Sequence, residues 1–326
     1  MFQLAQNRRP RMVPTPTLVR TREALARTLQ SWRLAGQSHA LVPTMGALHE
    51  GHLELVRLAR SHASRVVVSI FVNPSQFAPS EDLTRYPRDE AGDLVKLASA
   101  GCDLVWAPDP REMYPAGFAT EIIPKGAALG LEADFRPQFF AGVATVCTKL
   151  FAQVTPRVAI FGEKDFQQLC VVRQVVRDLD MPLTVIGAPT VREADGLAMS
   201  SRNRYLTAEQ RPIAPRLHGE LASLAKRIEH GDEIVAACRA ASDTLNARGF
   251  RVEYVAARDS ETLMPIKHLD TRPARVLAAA WLGATRLIDN LAVGPHSATR
   301  PPSARGNAAW PGPSSPMARR CSSHSF

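Results

Sequence analysis

His49 and His52 stand three residues apart in the run Pro43-Thr44-Met45-Gly46-Ala47-Leu48-His49-Glu50-Gly51-His52. On a helix that spacing puts both imidazoles on one face, where two hydrogen-bond donors can reach the same triphosphate. Gly46 and Gly51 carry no side chain to keep a ligand from the backbone, and a helix N-terminus offers unpaired N–H groups to phosphate. A zinc reading fails, because such sites use three or four protein ligands and no third one is near. Lys164, in Gly162-Glu163-Lys164-Asp165, stands at a helix start, where a cation opposes the helix dipole and so asks for another reason to be there, such as phosphate neutralisation. Asp165 is placed to cap that helix. Asn73, Gln76 and Gln168 add neutral amides suited to hydroxyl and carboxylate oxygens. Two hydroxyls and a guanidinium fork in Met199-Ser200-Ser201-Arg202 suit outer phosphates.

These groups need a scaffold that gathers them, and the hydrophobic pattern supplies one. Residues 21–34 have helical spacing and lead into the apolar run 39–43; residues 52–61 are again helical, and 65–72 is a β-branched run of the kind buried on both faces. A strand–helix–strand unit of this length implies a parallel sheet. The pattern repeats through helices at 94–100, 143–154 and 166–179 and strands at 103–107, 157–161 and 183–186. Five such strands predict a doubly wound, Rossmann-like α/β domain that binds ligands at the carboxyl ends of its strands. Helices at 208–228 and 232–248, a strand at 251–255 and a final strand or strand pair from Arg275 predict a smaller α+β C-terminal domain. The expected division is a basic extension at 1–14, the Rossmann-like domain at 15–190, the smaller domain at 191–293 and a tail at 294–326.

The chain has 326 residues, 45% apolar and 22% charged, enough to bury one core and long enough for two. Its net charge of +9 invites a nucleic-acid reading, but seven of those charges are arginines at the two ends, Arg8 to Arg11 and Arg300 to Arg320. No groove-reading motif accompanies them, so no nucleic-acid partner is expected. Residues 294–326 hold 16 Gly, Pro or Ser among 33 and read as a disordered tail. No apolar run approaches the length needed to cross a bilayer and no secretory h-region opens the chain, which predicts a cytoplasmic protein without a membrane partner. Five scattered cysteines argue against a disulfide framework. Dinucleotide chemistry and serine hydrolysis lack their G-x-G-x-x-G and G-x-S-x-G signatures.

The H-x-G-H turn resembles the signature of the H-I-G-H nucleotidyl transferases. With V-S-I-F-V-N-P-S-Q-F at 68–77, Y-P-R at 86–88, F-G-E-K-D-F-Q-Q-L at 161–169 and D-G-L-A-M-S-S-R-N at 195–203, residues 15–293 resemble the pantothenate synthetase (pantoate–β-alanine ligase) family. The resemblance implies condensation of (R)-pantoate with β-alanine at the expense of ATP through a pantoyl adenylate, giving pantothenate, AMP and diphosphate. It implies Mg²⁺ carried mainly by the ATP phosphates with no protein metal site, and a homodimer. It assigns ATP binding to Met45, Gly46, Ala47, Leu48, His49, Glu50, Gly51 and His52, to Gly162, Glu163, Lys164 and Asp165, to Val191, and to Met199, Ser200, Ser201 and Arg202. His52 takes the proton-donor role beside His49 and Lys164. Gln76, Gln168, Asn73 and Arg136 fall to pantoate and β-alanine.

One departure concerns the acceptor side. The family shows R-P-G-H-F-x-G-V where this chain has Arg136-Pro137-Gln138-Phe139-Phe140-Ala141-Gly142-Val143, and Gln138 is the expected source of a replacement hydrogen bond. A nucleotidyl transferase of the same superfamily acting on another acceptor is the alternative.

Overall fold

Successive residues of the central strands enter opposite cores, as the period-two geometry of a strand dictates. Leu41 and Val67 pack with Leu104, Phe151 and Leu169 on one face. Ala40, Val42, Val66 and Val68 pack with Val56, Leu97 and Ile160 on the other. Each fully buried Val or Leu in these layers contributes about 1.5–3 kcal/mol, so both faces hold the sheet.

The computed structural model describes residues 15–77 and 87–294. The expectations for 1–14, for Tyr86 and for the tail beyond Gly294 lie outside the described residues. In chain order the elements are β1 (Thr17–Val19), α1 (Arg22–Leu34), β2 (His39–Thr44), α2 (Glu50–His62), β3 (Arg65–Ile70), α3 (Glu90–Ala100), β4 (Leu104–Trp106), α4 (Pro110–Met113), α5 (Glu132–Phe135), α6 (Phe139–Val154), β5 (Val158–Gly162), α7 (Phe166–Asp178), β6 (Thr184–Ala188), α8 (Arg216–Glu229), α9 (Ile234–Ala247), β7 (Phe250–Asp259), β8 (Ala274–Leu282) and β9 (Thr285–Val293).

The first six strands form one parallel sheet in the order β1-β4-β3-β2-β5-β6. The chain runs outward from β2 through β3 to β4, then returns to place β5 on the other side of β2. The strand order therefore reverses between β2 and β5, the position where an open α/β sheet leaves a crevice. Strands β7, β8 and β9 form a separate antiparallel sheet, backed by α8 and α9 over Leu221, Leu224, Ala237, Ala241 and Val276. The fold is thus the doubly wound α/β class with a smaller α+β C-terminal region.

Two details differ from expectation. The sheet has a sixth strand, β1, whose three residues pair with β4 at the edge. The helix expected over 208–228 begins only at Arg216, behind Pro212 and Pro215; proline lacks the N–H and clashes with the preceding turn, so 208–215 winds as turns instead.

Candidate active site

The turn leaving β2 is held from behind. Gly46 and Ala47 both take positive φ, 83° and 53°, a conformation that strains a residue carrying a Cβ. The Asp93 carboxylate, 1% exposed, compensates by accepting from the Ala47 and Leu48 amides, at 2.8 Å each. Lys96 Nζ donates to the Leu48 carbonyl at 2.9 Å. The amides expected to face a phosphate are therefore occupied by α3, and the Ala47 and Leu48 side chains are buried. Asp93→Asn puts an NH₂ group against one of these N–H donors, and urea unfolding should show a loss of about 1–3 kcal/mol.

His49 is the N-cap of α2 and His52 its third residue, with ring centroids 4.1 Å apart. The His49 backbone N–H donates to His52 Nδ1 at 3.3 Å. A neutral His52 must then carry its proton on Nε2. Burial, followed by the charge of His49, lowers the His52 pKa to about 3; burial, followed by Lys164, lowers that of His49 to about 4. Both rings are neutral donors at pH 7. Gly51 leaves room for the arrangement, since a Cβ there would stand 3.0 Å from the His49 ring. In the ligand-free protein, the ¹⁵N and Cε1–H signals of both histidines should stay flat between pH 5 and 8. A titration midpoint near 6.5 would contradict this packing.

Beside this turn, β5 ends in Gly162, and Glu163–Asp165 form a 3₁₀ turn before α7. Asn290 of β9 clamps that turn by donating to the carbonyls of Glu163 and Lys164, at 2.9 Å each. Glu163 accepts from Arg275 at 3.2 Å. Asp165 occupies the N-cap position without a capping hydrogen bond, and its carboxylate lies 3.6 Å from Lys164 Nζ. The expected cap is replaced by this ion pair.

Beyond β3, Asn73 and Gln76 flank a 3₁₀ turn that backs onto α6. The approach requires Gly142, where a Cβ would fall 2.5 Å from the Ser75 carbonyl oxygen. Arg136 donates to the Gln76 carbonyl at 3.1 Å and lays its guanidinium over the Phe139 ring, 3.9 Å from the centroid. Gln138 is exposed, so the expected replacement hydrogen bond has no footing; Phe139 occupies the cleft wall and supplies a cation–π platform instead. Gln167 is structural, bonded to Glu132, Ala127 and Gly130, while its neighbour Gln168 lines the cleft.

On the far wall, Met199-Ser200-Ser201-Arg202 opens a 3₁₀ turn in which Ser200 Oγ accepts from the Arg202 amide at 3.2 Å. Asn203 donates to Glu193 at 2.7 Å, and Arg211 bonds Glu193 and Asp195 at 2.6 Å each, so the segment is tied down on its outer side. Together these walls line a cleft, open to solvent, above the crevice between β2 and β5.

The model of the family described as pantoate-beta-alanine ligase matches residues 17–292. The chain belongs to the pantoate-beta-alanine ligase family. Within this ligase family it is 58% identical over 283 residues to a pantothenate synthetase of Rhodopseudomonas palustris, 86% of this chain and the whole of that one. The crystal structure of pantothenate synthetase from Thermus thermophilus superposes with a TM-score of 0.80 at 47% identity, covering 86% of this chain and 100% of that one. A pantoate-beta-alanine ligase from Francisella tularensis, solved with β,γ-ATP and β-alanine, gives 0.71 at 32% identity over 85% and 97%.

In this ligase, the cleft brings together Met45, His49, Gly51, His52, Asn73, Gln76, Arg136, Gly162, Lys164, Asp165, Gln168, Val191 and Met199 to Arg202. Five residues nominated from the sequence stand outside its lining. Gly46, Ala47 and Leu48 shape the turn from within, Glu50 pairs with Arg57 along α2, and Glu163 pairs with Arg275. Sequence reasoning missed Asp93, Tyr114, Glu132, Arg286 and Asn290. Each looks like any other polar residue of its helix, loop or strand, and only the fold reveals its partner.

Proposed function

We propose that this ligase condenses (R)-pantoate with β-alanine at the expense of ATP, through a pantoyl adenylate, with AMP and diphosphate as co-products. The observation that carries the reading is that two neutral histidines, Lys164, Gln76 and Gln168 line one cleft. A carboxylate is a poor acylating agent at neutral pH. One pantoate oxygen therefore attacks the α-phosphorus and diphosphate leaves; the amine of β-alanine then attacks the acyl carbon, loses a proton, and AMP departs.

The chain's part in the first step is positioning and electrostatics. His52 presents Nε2–H to an α-phosphoryl oxygen. Its depressed pKa makes it a neutral donor before substrate binds, and negative charge arriving beside it raises its proton affinity toward the proton-donor role. Lys164 neutralises charge as diphosphate departs, and Ser200, Ser201 and Arg202 take the outer phosphates. Val191 offers backbone to the adenine. Gln76 and Gln168 hold pantoate, and Arg136 attracts a carboxylate on the acceptor side.

Mg²⁺ fits the donor set, since a hard cation that keeps substrate phosphates needs few carboxylates and Asp165 lines the cleft. Bound there, it would shield the triphosphate charge. The reading places residues 191–293 as a lid on a Rossmann-like domain of 15–190, in a cytoplasmic homodimer.

Incubation with ATP, Mg²⁺ and pantoate, with and without β-alanine, followed by mass spectrometry, tests the function. Pantothenate and AMP should appear together only with all substrates. A stable nucleotidylated product would point to the nucleotidyl-transferase alternative and sink the ligase reading.

A further inference from the structure

Gln76 is an amide whose two ends differ chemically, and its surroundings determine which end meets a ligand. The deciding neighbour is Asn73, 1% exposed, whose own orientation is fixed by backbone groups that cannot swap roles. Its Nδ2 donates to the Gly142 carbonyl at 3.1 Å, and its Oδ1 lies 3.4 Å from the Ser75 amide, which can only donate. Nδ2 also reaches Gln76 Oε1 at 3.2 Å. Turning Gln76 over would set two NH₂ groups against each other. Gln76 therefore points Nε2 toward Met45 Sδ, 3.0 Å away, and the cleft.

Tyr114 completes the chain. Its hydroxyl donates to Asn73 Oδ1 at 2.8 Å, beside the Ser75 hydroxyl at 3.0 Å. The ring is held among Phe71 and Phe118, centroids 6.1 and 5.1 Å away, with Lys149 Nζ 5.9 Å from it. Burial pushes the phenol pKa up, which keeps the hydroxyl a donor. Both ends of the Asn73 amide are thus hydrogen-bonded within the protein, at the lining of the cleft.

We propose that Tyr114 and Asn73 are positioning residues that lock the Gln76 amide as a hydrogen-bond donor to the cleft, so that the group bound there must be an oxygen acceptor. The inference rests on the ligase reading, in which that acceptor belongs to pantoate. Losing one neutral hydrogen bond from a shared acceptor corresponds to about a three- to ten-fold effect.

The test is a double-mutant cycle on the full-length protein. Tyr114→Phe should raise the KM for pantoate about three- to ten-fold, leave the KM for ATP unchanged, and have no further effect in a Gln76→Ala background. An unchanged pantoate KM, or an equal cost in both backgrounds, overturns the relay, as does a parallel rise in both KM values. If the wild-type protein fails to turn over pantoate, the ligase reading falls by itself. The relay is then read by NMR, through the Gln76 side-chain NH₂ signal identified by its loss in Gln76→Ala. Tyr114→Phe should shift that signal and speed its exchange, and a signal left in place overturns the relay.

Discussion

Lys164→Met is expected to lower kcat/KM by about 10²- to 10³-fold, the scale on which losing one preorganised group at a developing charge is felt. The backbone of this turn is held by Asn290 rather than by the lysine side chain, so the fold should survive the change. The same substitution carries a second, independent signature. Burial is the main cause of the low His49 pKa and the Lys164 charge the next, so removing the charge should raise that pKa while leaving it below the ordinary histidine value. A variant with the expected rate loss and an unmoved His49 would mean that Lys164 acts somewhere other than beside the histidines.

Arg286→Met should cost about 3–5 kcal/mol of stability, because it strands buried carboxylates. Arg286 leaves β9 to donate to both Glu132 oxygens, at 2.8 and 2.9 Å, and its Nε reaches Glu253 at 2.8 Å. The side chains of Glu132, Glu253 and Arg286 are 9%, 8% and 6% exposed, so solvent screens little of the interaction. Tyr254 adds a hydroxyl donor to Glu132 at 2.8 Å, and Trp281 Nε1 donates to Glu253 at 2.5 Å. Denaturant titrations of the wild type and the variant at pH 7 measure the loss, and a cost below about 1 kcal/mol would show that packing rather than charge holds this junction.

The contrast between these two sites shows what a sequence discloses. The H-x-G-H turn and the G-E-K-D turn are legible because each follows a strand whose short apolar run announces it, and adjacent strands of a parallel sheet bring such turns to one edge. The Arg286 cluster joins residues 33 to 154 positions apart, and nothing local to Glu132, Glu253 or Arg286 separates them from surface charges. Ala47 and Leu48 look like a phosphate cradle until Asp93, 45 residues further on, is seen to fill it. β1 escaped notice because Thr-Leu-Val is too short to show a period and becomes a strand only through β4. Asn73 is singled out by its type, yet what holds its amide is Tyr114 and Gly142, whose proximity the fold alone provides.

Isotope transfer tests the adenylate mechanism most directly. Pantoate labelled with ¹⁸O in both carboxylate oxygens, turned over with ATP, Mg²⁺ and β-alanine, should give AMP carrying one ¹⁸O and pantothenate retaining the other, because the attacking oxygen stays on the α-phosphorus when the amine displaces AMP. Unlabelled AMP, or label recovered in inorganic phosphate alongside ADP, would contradict activation at the α-phosphorus and with it the roles given to His52 and Lys164.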